Sequence, residues 1–140
     1  MSDMTDYLET MIGNVIFRSQ AAWKPAAIWV ALYTVAPNDD GTGGTEVSGG
    51  NYARVQVPQA DAQWNAPAGG NGLFSNVNDI AFPAPNANWG QVVAFAILDN
   101  SAGGNMLIKK AVTAPKTVNS GDPAPKFTGG SPGAMTVTFA

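Results

Sequence analysis

The chain contains no cysteine and no histidine. Without thiols it can form no disulfide, no thiolate metal site and no cysteine nucleophile. Without imidazole it lacks the commonest general base and the commonest zinc ligand, so Ser-His-Asp and Cys-His arrangements cannot be assembled within it. Charge is scarce too: 12% of the 140 residues are charged, about half the usual ~25%. The few lysines and arginines are scattered, and Lys109–Lys110 is the only adjacent pair. There is no basic stripe for nucleic acid or for an anionic membrane. The pair reads instead as an exposed strand position that discourages edge pairing. The longest apolar runs, Ala26 to Tyr33 and Val92 to Leu98, fall far short of the ~18 residues that span a bilayer. The start, Met1 to Glu9, is acidic and carries no basic region ahead of an apolar core, so no secretory signal is expected. Neither nucleic acid nor a membrane is an expected partner.

What fills the surface instead is Asn, Ser, Thr, Gln, Gly and Ala. Few like charges hold neighbours apart on such a surface, which favours a chain that works inside an assembly. The length suits one domain, with residues 1–25 as a helical arm and 26–140 as a β domain.

The arm carries the one clear helical pattern, Asp6 to Gln20. Leu8, Met11, Ile12, Val15 and Ile16 follow the i, i+3, i+4, i+7, i+8 spacing of an apolar face. Asp6 and Glu9 are placed to cap it, and Pro25 ends it. Its apolar face either lies on the chain's own sheet or docks on a neighbouring subunit.

Ala26 to Thr34 is short, apolar, β-branched and aromatic, a strand covered on both faces. Tyr52 to Val57 alternates, so Ala53, Val55 and Val57 are expected inward and Tyr52, Arg54 and Gln56 in solvent. Between them, Pro37 to Gly50 reads as a long exposed loop with no regular element. Pro58 to Gly72 reads as a second loop, carrying Trp64. Ile80 to Phe82 is a short strand. Trp89 to Leu98 is nearly continuous in apolar character and hence central. Asp99 to Asn105 is a hairpin loop, Met106 to Val112 the returning strand, and Lys116 to Val118 a further short one. Pro123 to Gly133 is a loop containing Phe127. Ala134 to Ala140 is a closing strand with Met135, Val137 and Phe139 inward. One helix and roughly seven strands predict a mainly β, antiparallel sandwich or partial barrel, jelly-roll-like, with one N-terminal amphipathic helix.

Carboxylates are the main acid–base groups left for chemistry. They lie in loops or at the helix start, and none interrupts an apolar strand as a buried catalytic acid would. Asn38-Asp39-Asp40-Gly41 with Glu46 lacks the alternate-residue spacing of a calcium loop. The paired glycines precede neither a Lys-Ser/Thr pair nor a helix, so they cradle no phosphate. No enzyme activity, catalytic residue, metal or cofactor is expected. Trp64 and Trp89 leave a sugar-binding groove as a minor alternative. The candidate interface residues are Leu8, Met11, Ile12 and Val15 on the helix, Asp39 and Asp40 in the first long loop, Trp64 in the second, and Phe127.

The segments TEVSGGNYAR, WGQVVAFAILDN and PKTVNSGD, between the N-terminal helix and the closing MTVTF, resemble a group of small tailed-bacteriophage virion proteins. Its members are labelled capsid decoration (cement) or tail-fibre proteins, and the likeness covers nearly the whole chain. It implies a non-enzymatic virion protein made in the host cytoplasm. The absence of repeats or a coiled-coil stem favours the outer capsid surface, with the major capsid protein and further copies of itself, as dimer or trimer, as partners. A tail-fibre or baseplate component is the alternative.

Overall fold

In the computed structural model of the chain, residues 2–67, 72–130 and 136–138 are described, the last three by their backbone. Among them a helix, α1 (Asp6–Arg18), precedes ten strands. These are β1 (Ile28–Val35), β2 (Thr45–Glu46), β3 (Val55–Val57), β4 (Trp64–Asn65), β5 (Leu73–Asn76), β6 (Ile80–Ala81), β7 (Gly90–Leu98), β8 (Met106–Val118), β9 (Lys126–Phe127) and β10 (Thr136–Thr138).

The two apolar runs of the sequence become neighbours. β1 and β7 pair antiparallel, with Val30 opposite Ile97 and Leu32 opposite Phe95. β8 flanks β7, while β2 and β3 flank β1, giving a five-stranded sheet. Alternation then sorts the side chains. Val30, Leu32, Val92, Phe95 and Ile97 join the main core, and Ala31, Tyr33, Ala94, Ala96 and Leu98 form a smaller cluster with Met106. Both sets are buried, so the strands read as unbroken apolar runs rather than alternating ones. The other strands form a three-stranded sheet, β10-β5-β4, and a two-stranded pair, β6-β9. Among the described residues every pairing is antiparallel, and the sheets are not closed into a barrel. The mainly β, sandwich-like fold with one helix is the architecture the sequence predicts.

Several local readings need correction. Pro37 to Gly50 is not free of regular structure. β2 pairs there with β1, Glu46 opposite Tyr33, and Val47 is buried in the main core. β4, β5 and β9 also fall outside the strands read from the sequence, because strands of two to four residues are too short to show a period. Residues 68–71 of the second loop lie outside the described residues, as do Met135 and Phe139 and the side chain of Val137. Met106–Val112 and Lys116–Val118 are one strand, but with a jump in register. Val92 faces Lys116 whereas Ala94 faces Ala111, so β8 bulges outward between them. Pro115 sits in that bulge, on the outer strand of the sheet, where its missing N–H leaves no ladder bond unmade.

The expected wet face of Tyr52 to Val57 is wrong at two positions. The chain becomes a strand only at Val55, so period 2 does not apply before it. The Tyr52 ring lies parallel to Phe82 (6.2 Å) and edge-on to Trp89 (5.3 Å). Its hydroxyl donates to Glu46 Oε1 (2.8 Å) and accepts from the Leu32 N–H (3.0 Å). Burial pushes the Tyr52 phenol above its ordinary range, and the Glu46 carboxylate adds to the rise. The Arg54 side chain is 8% exposed and forms a two-pronged pair with Glu46, Nε to Oε1 and Nη2 to Oε2, both 2.8 Å. Ala53, expected inside, is exposed.

Candidate interaction surface

The N-terminal arm is attached at one end. Its anchor is a short stretch of sheet on the outer edge of β8, where Met4 bridges Ile108. The Thr5 N–H donates to the Leu107 carbonyl and the Lys109 N–H to the Asp3 carbonyl, each at 3.0 Å. Thr5 is buried, and its hydroxyl reaches the Met106 and Leu107 carbonyls. Asp3 pairs with Lys110 Nζ at 2.9 Å. Thr5 is also the N-cap of α1, its hydroxyl oxygen accepting from the Leu8 N–H, so the cap lies one residue before the expected Asp6. Lys109 pairs with Asp39 at 3.4 Å. The two lysines thus hold the arm and the first long loop to the sheet edge instead of standing free in solvent.

Beyond this anchor the helix leaves the body. Tyr7 and Leu8 in its first turn pack on the main core, and Tyr7 meets Trp23 edge-to-face at 5.9 Å. No residue of α1 is fully buried. Ile12 is 39% exposed, Ile16 65% and Phe17 85%. The apolar stripe is wider than one packed seam: its Leu8 side turns to the body and its Ile12 and Ile16 side to solvent. Phe17 extends it on the far side. The sequence stripe missed Phe17 because, at 100° per residue, it lies about opposite Leu8. A large apolar residue on an otherwise polar face was the signal that could have found it. The helix stops at Arg18, two residues before the expected Gln20, with Ser19 in the left-handed conformation at φ +53°.

Gly13 sits mid-helix, and a Cβ there would meet nothing within 4 Å. Gly13→Ala is therefore expected to stabilise the protein by about 0.5–1 kcal/mol through helix propensity and lost unfolded-state freedom. A urea midpoint raised at unchanged slope would show it.

Two concave surfaces flank the main sheet. One, of about 410 Å³, is an apolar groove beside the arm, and it brings together Leu8, Trp64, Phe74, Ile97 and Leu107. Trp64 is half-buried on its edge, its indole N–H bonded to the Pro58 carbonyl at 3.0 Å. The other, also about 410 Å³, lies under the β8 bulge. Val92, Phe95, Val112 and Phe127 contribute apolar lining, with Lys110 and Lys116 beside them.

Phe127, Asp40 and Asp39 have partners within the fold. Phe127 plugs the core, edge-on to Phe95 (5.1 Å) and Phe82 (6.4 Å). Asp40 closes its own turn, accepting from the Thr42 hydroxyl (2.7 Å) and N–H (2.9 Å), which hold its carboxyl below the usual range. Asp39 is tied to Lys109. Trp89 is buried, with its indole N–H on the Gly50 carbonyl at 2.8 Å, so it lines no groove with Trp64. Gly50 has φ +57°, and a Cβ on it would stand 2.8 Å from the Trp89 indole nitrogen, so only glycine fits. Among the described residues, no three His, Cys, Asp or Glu cluster to hold a metal, and no helix is long and apolar enough to cross a membrane.

The chain is thus a layered β body with an amphipathic helix at its edge, on which Ile12, Ile16 and Phe17 are exposed. Residues 3–134 match the family described as Podophage GP4 fiber I protein gp80, and the chain belongs to that family. It is therefore a phage virion structural protein of fibre type. No curated protein matches the chain.

Proposed function

We propose that this chain is a non-enzymatic component of the phage tail-fibre apparatus, assembling through its N-terminal arm with further copies of itself as a dimer or trimer. The family match over residues 3–134 carries the reading. The exposed Ile12, Ile16 and Phe17 support it, since apolar side chains gathered on one element are a contact surface awaiting cover. A place on the outer capsid, clamping major capsid protein subunits, receives less support, because the matched family is described by a fibre.

Immunogold labelling of purified particles, with copy number from quantitative mass spectrometry, tests the location. Label at the tail at a small fraction of the major capsid protein's abundance is expected. Label over the whole head, at a copy number comparable with the capsid protein, would move the assignment to the capsid. Absence from the particles would overturn both.

A further inference from the structure

The arm is fastened to the body by contacts that can be made equally well within one chain or between two. Residues 3–5 add a short strand to the edge of β8 through two backbone hydrogen bonds, one ion pair and the buried Thr5. The body therefore carries a receiving site whose complementarity to this segment is demonstrated by the segment lying in it. The helix that follows contributes only Tyr7 and Leu8 to the main core. Residues 18–22, where the chain turns back, are all exposed. Ser19 caps the helix at φ +53°, with the Gln20 N–H on the Asn14 carbonyl at 3.2 Å, so the chain changes direction directly after α1. Trp23, which the Tyr7 ring meets, lies on the body side of this turn and would remain part of the receiving site.

We propose that residues 2–18 exchange between copies. The hinge at 19–22 opens, and the arm of one chain docks on the β8 edge of the next, remaking in trans the Met4–Ile108 bridge, the Asp3–Lys110 pair and the Tyr7–Trp23 contact. The receiving site gains nothing by the exchange, since every one of its contacts already exists. The gain is elsewhere: two bodies are drawn together, and Ile12, Ile16 and Phe17 on the crossing helix acquire a neighbour to cover them. A hinge of four residues plus a helix of 13 residues, about 20 Å long, gives the reach to a body beside it. The inference rests on the proposed self-association and specifies how it is made.

The absence of cysteine makes the test clean, because introduced thiols are the only ones present. Met4 and Ile108 face each other between the two hydrogen bonds, the pair type in which Cα atoms approach to about 4.5 Å. That lies within the span a disulfide bridges. Met4→Cys and Ile108→Cys are placed in separate, differently tagged full-length chains, which are co-expressed and oxidised. Exchange predicts a disulfide-linked species carrying both tags on a non-reducing gel. The same two substitutions in one chain should give a covalent dimer or trimer. An internally bridged monomer from that chain, with no mixed species from the separate ones, would overturn the proposal.

If Ile108→Cys fails to fold, Asp3→Lys and Lys110→Asp replace it. Each alone sets like charges against each other in cis. Mixed, exchange lets Lys at position 3 of one chain meet Asp at position 110 of the other, so mixed complexes should outnumber unmixed ones. A statistical mixture would contradict exchange. Sedimentation separates the two levels of the argument. An internally bridged chain that still sediments as an oligomer removes exchange and leaves self-association. A wild-type chain that sediments as a monomer removes both.

Discussion

Arg54→Ala is expected to destabilise the protein by about 2 kcal/mol, because it leaves the partly buried Glu46 carboxylate without its counter-ion and its charge-assisted hydrogen bonds. Arg54 works in three places at once. Its guanidinium forks onto both Glu46 oxygens on β2. Its Nη1 donates to the Asn100 and Gly103 carbonyls, both at 2.8 Å, in the loop joining β7 to β8. Through Glu46 it also orders the Tyr52 hydroxyl. Truncation strands a carboxylate on one side and two carbonyls on the other. Lys would keep the charge but not the fork, so Arg54→Lys should recover only part of the loss. The urea midpoint should fall at unchanged slope. A loss well under 1 kcal/mol would mean that water satisfies these groups and that the pair is an ordinary surface one.

Trp89→Ala is expected to cost about 3–5 kcal/mol, the range for removing a buried large aromatic. Trp89 closes the end of the main core where β7 begins. Its ring stands edge-on to Tyr52, and its indole N–H satisfies the Gly50 carbonyl. Gly50 in turn accommodates the indole only because it has no side chain. Trp89→Phe keeps most of the apolar contact and gives up the hydrogen bond, so its smaller cost, about 1–2 kcal/mol, measures that bond and the poorer fit. If the two substitutions cost the same, packing at this site is not what the geometry says it is.

These two residues show what the sequence reveals and what it hides. The long strands were legible because Ala26 to Thr34 and Val92 to Leu98 are apolar on both faces, and such runs have few alternatives. The helix was legible from its spacing. Arg54, by contrast, reads as solvent-facing from its place in an alternating run, yet its role depends on carbonyls 46 and 49 residues away. Nothing local encodes those partners. The strand at Phe127 is hidden for a similar reason: a single aromatic in a Pro/Gly-rich stretch carries no period, and only the pairing of β9 with β6 brings it onto Phe95. On the arm, the stripe Leu8, Met11, Ile12, Val15 shows in sequence which side chains are apolar but not which of them face the body. Which half of a wide stripe meets the body is set by how Thr5 docks on β8, a contact spanning the length of the chain.

The central claim is that the protein acts through the apolar surface its arm holds out. Sedimentation velocity of the wild-type chain beside the Ile16→Glu/Phe17→Glu variant tests it most directly, with thermal unfolding recorded on both. The account predicts an oligomeric wild type and a monomeric variant whose melting temperature is no lower than that of the unassembled wild-type chain, since neither side chain supports the fold. A wild type that stays monomeric at every concentration, or a variant that sediments with it as the same oligomer, would contradict it.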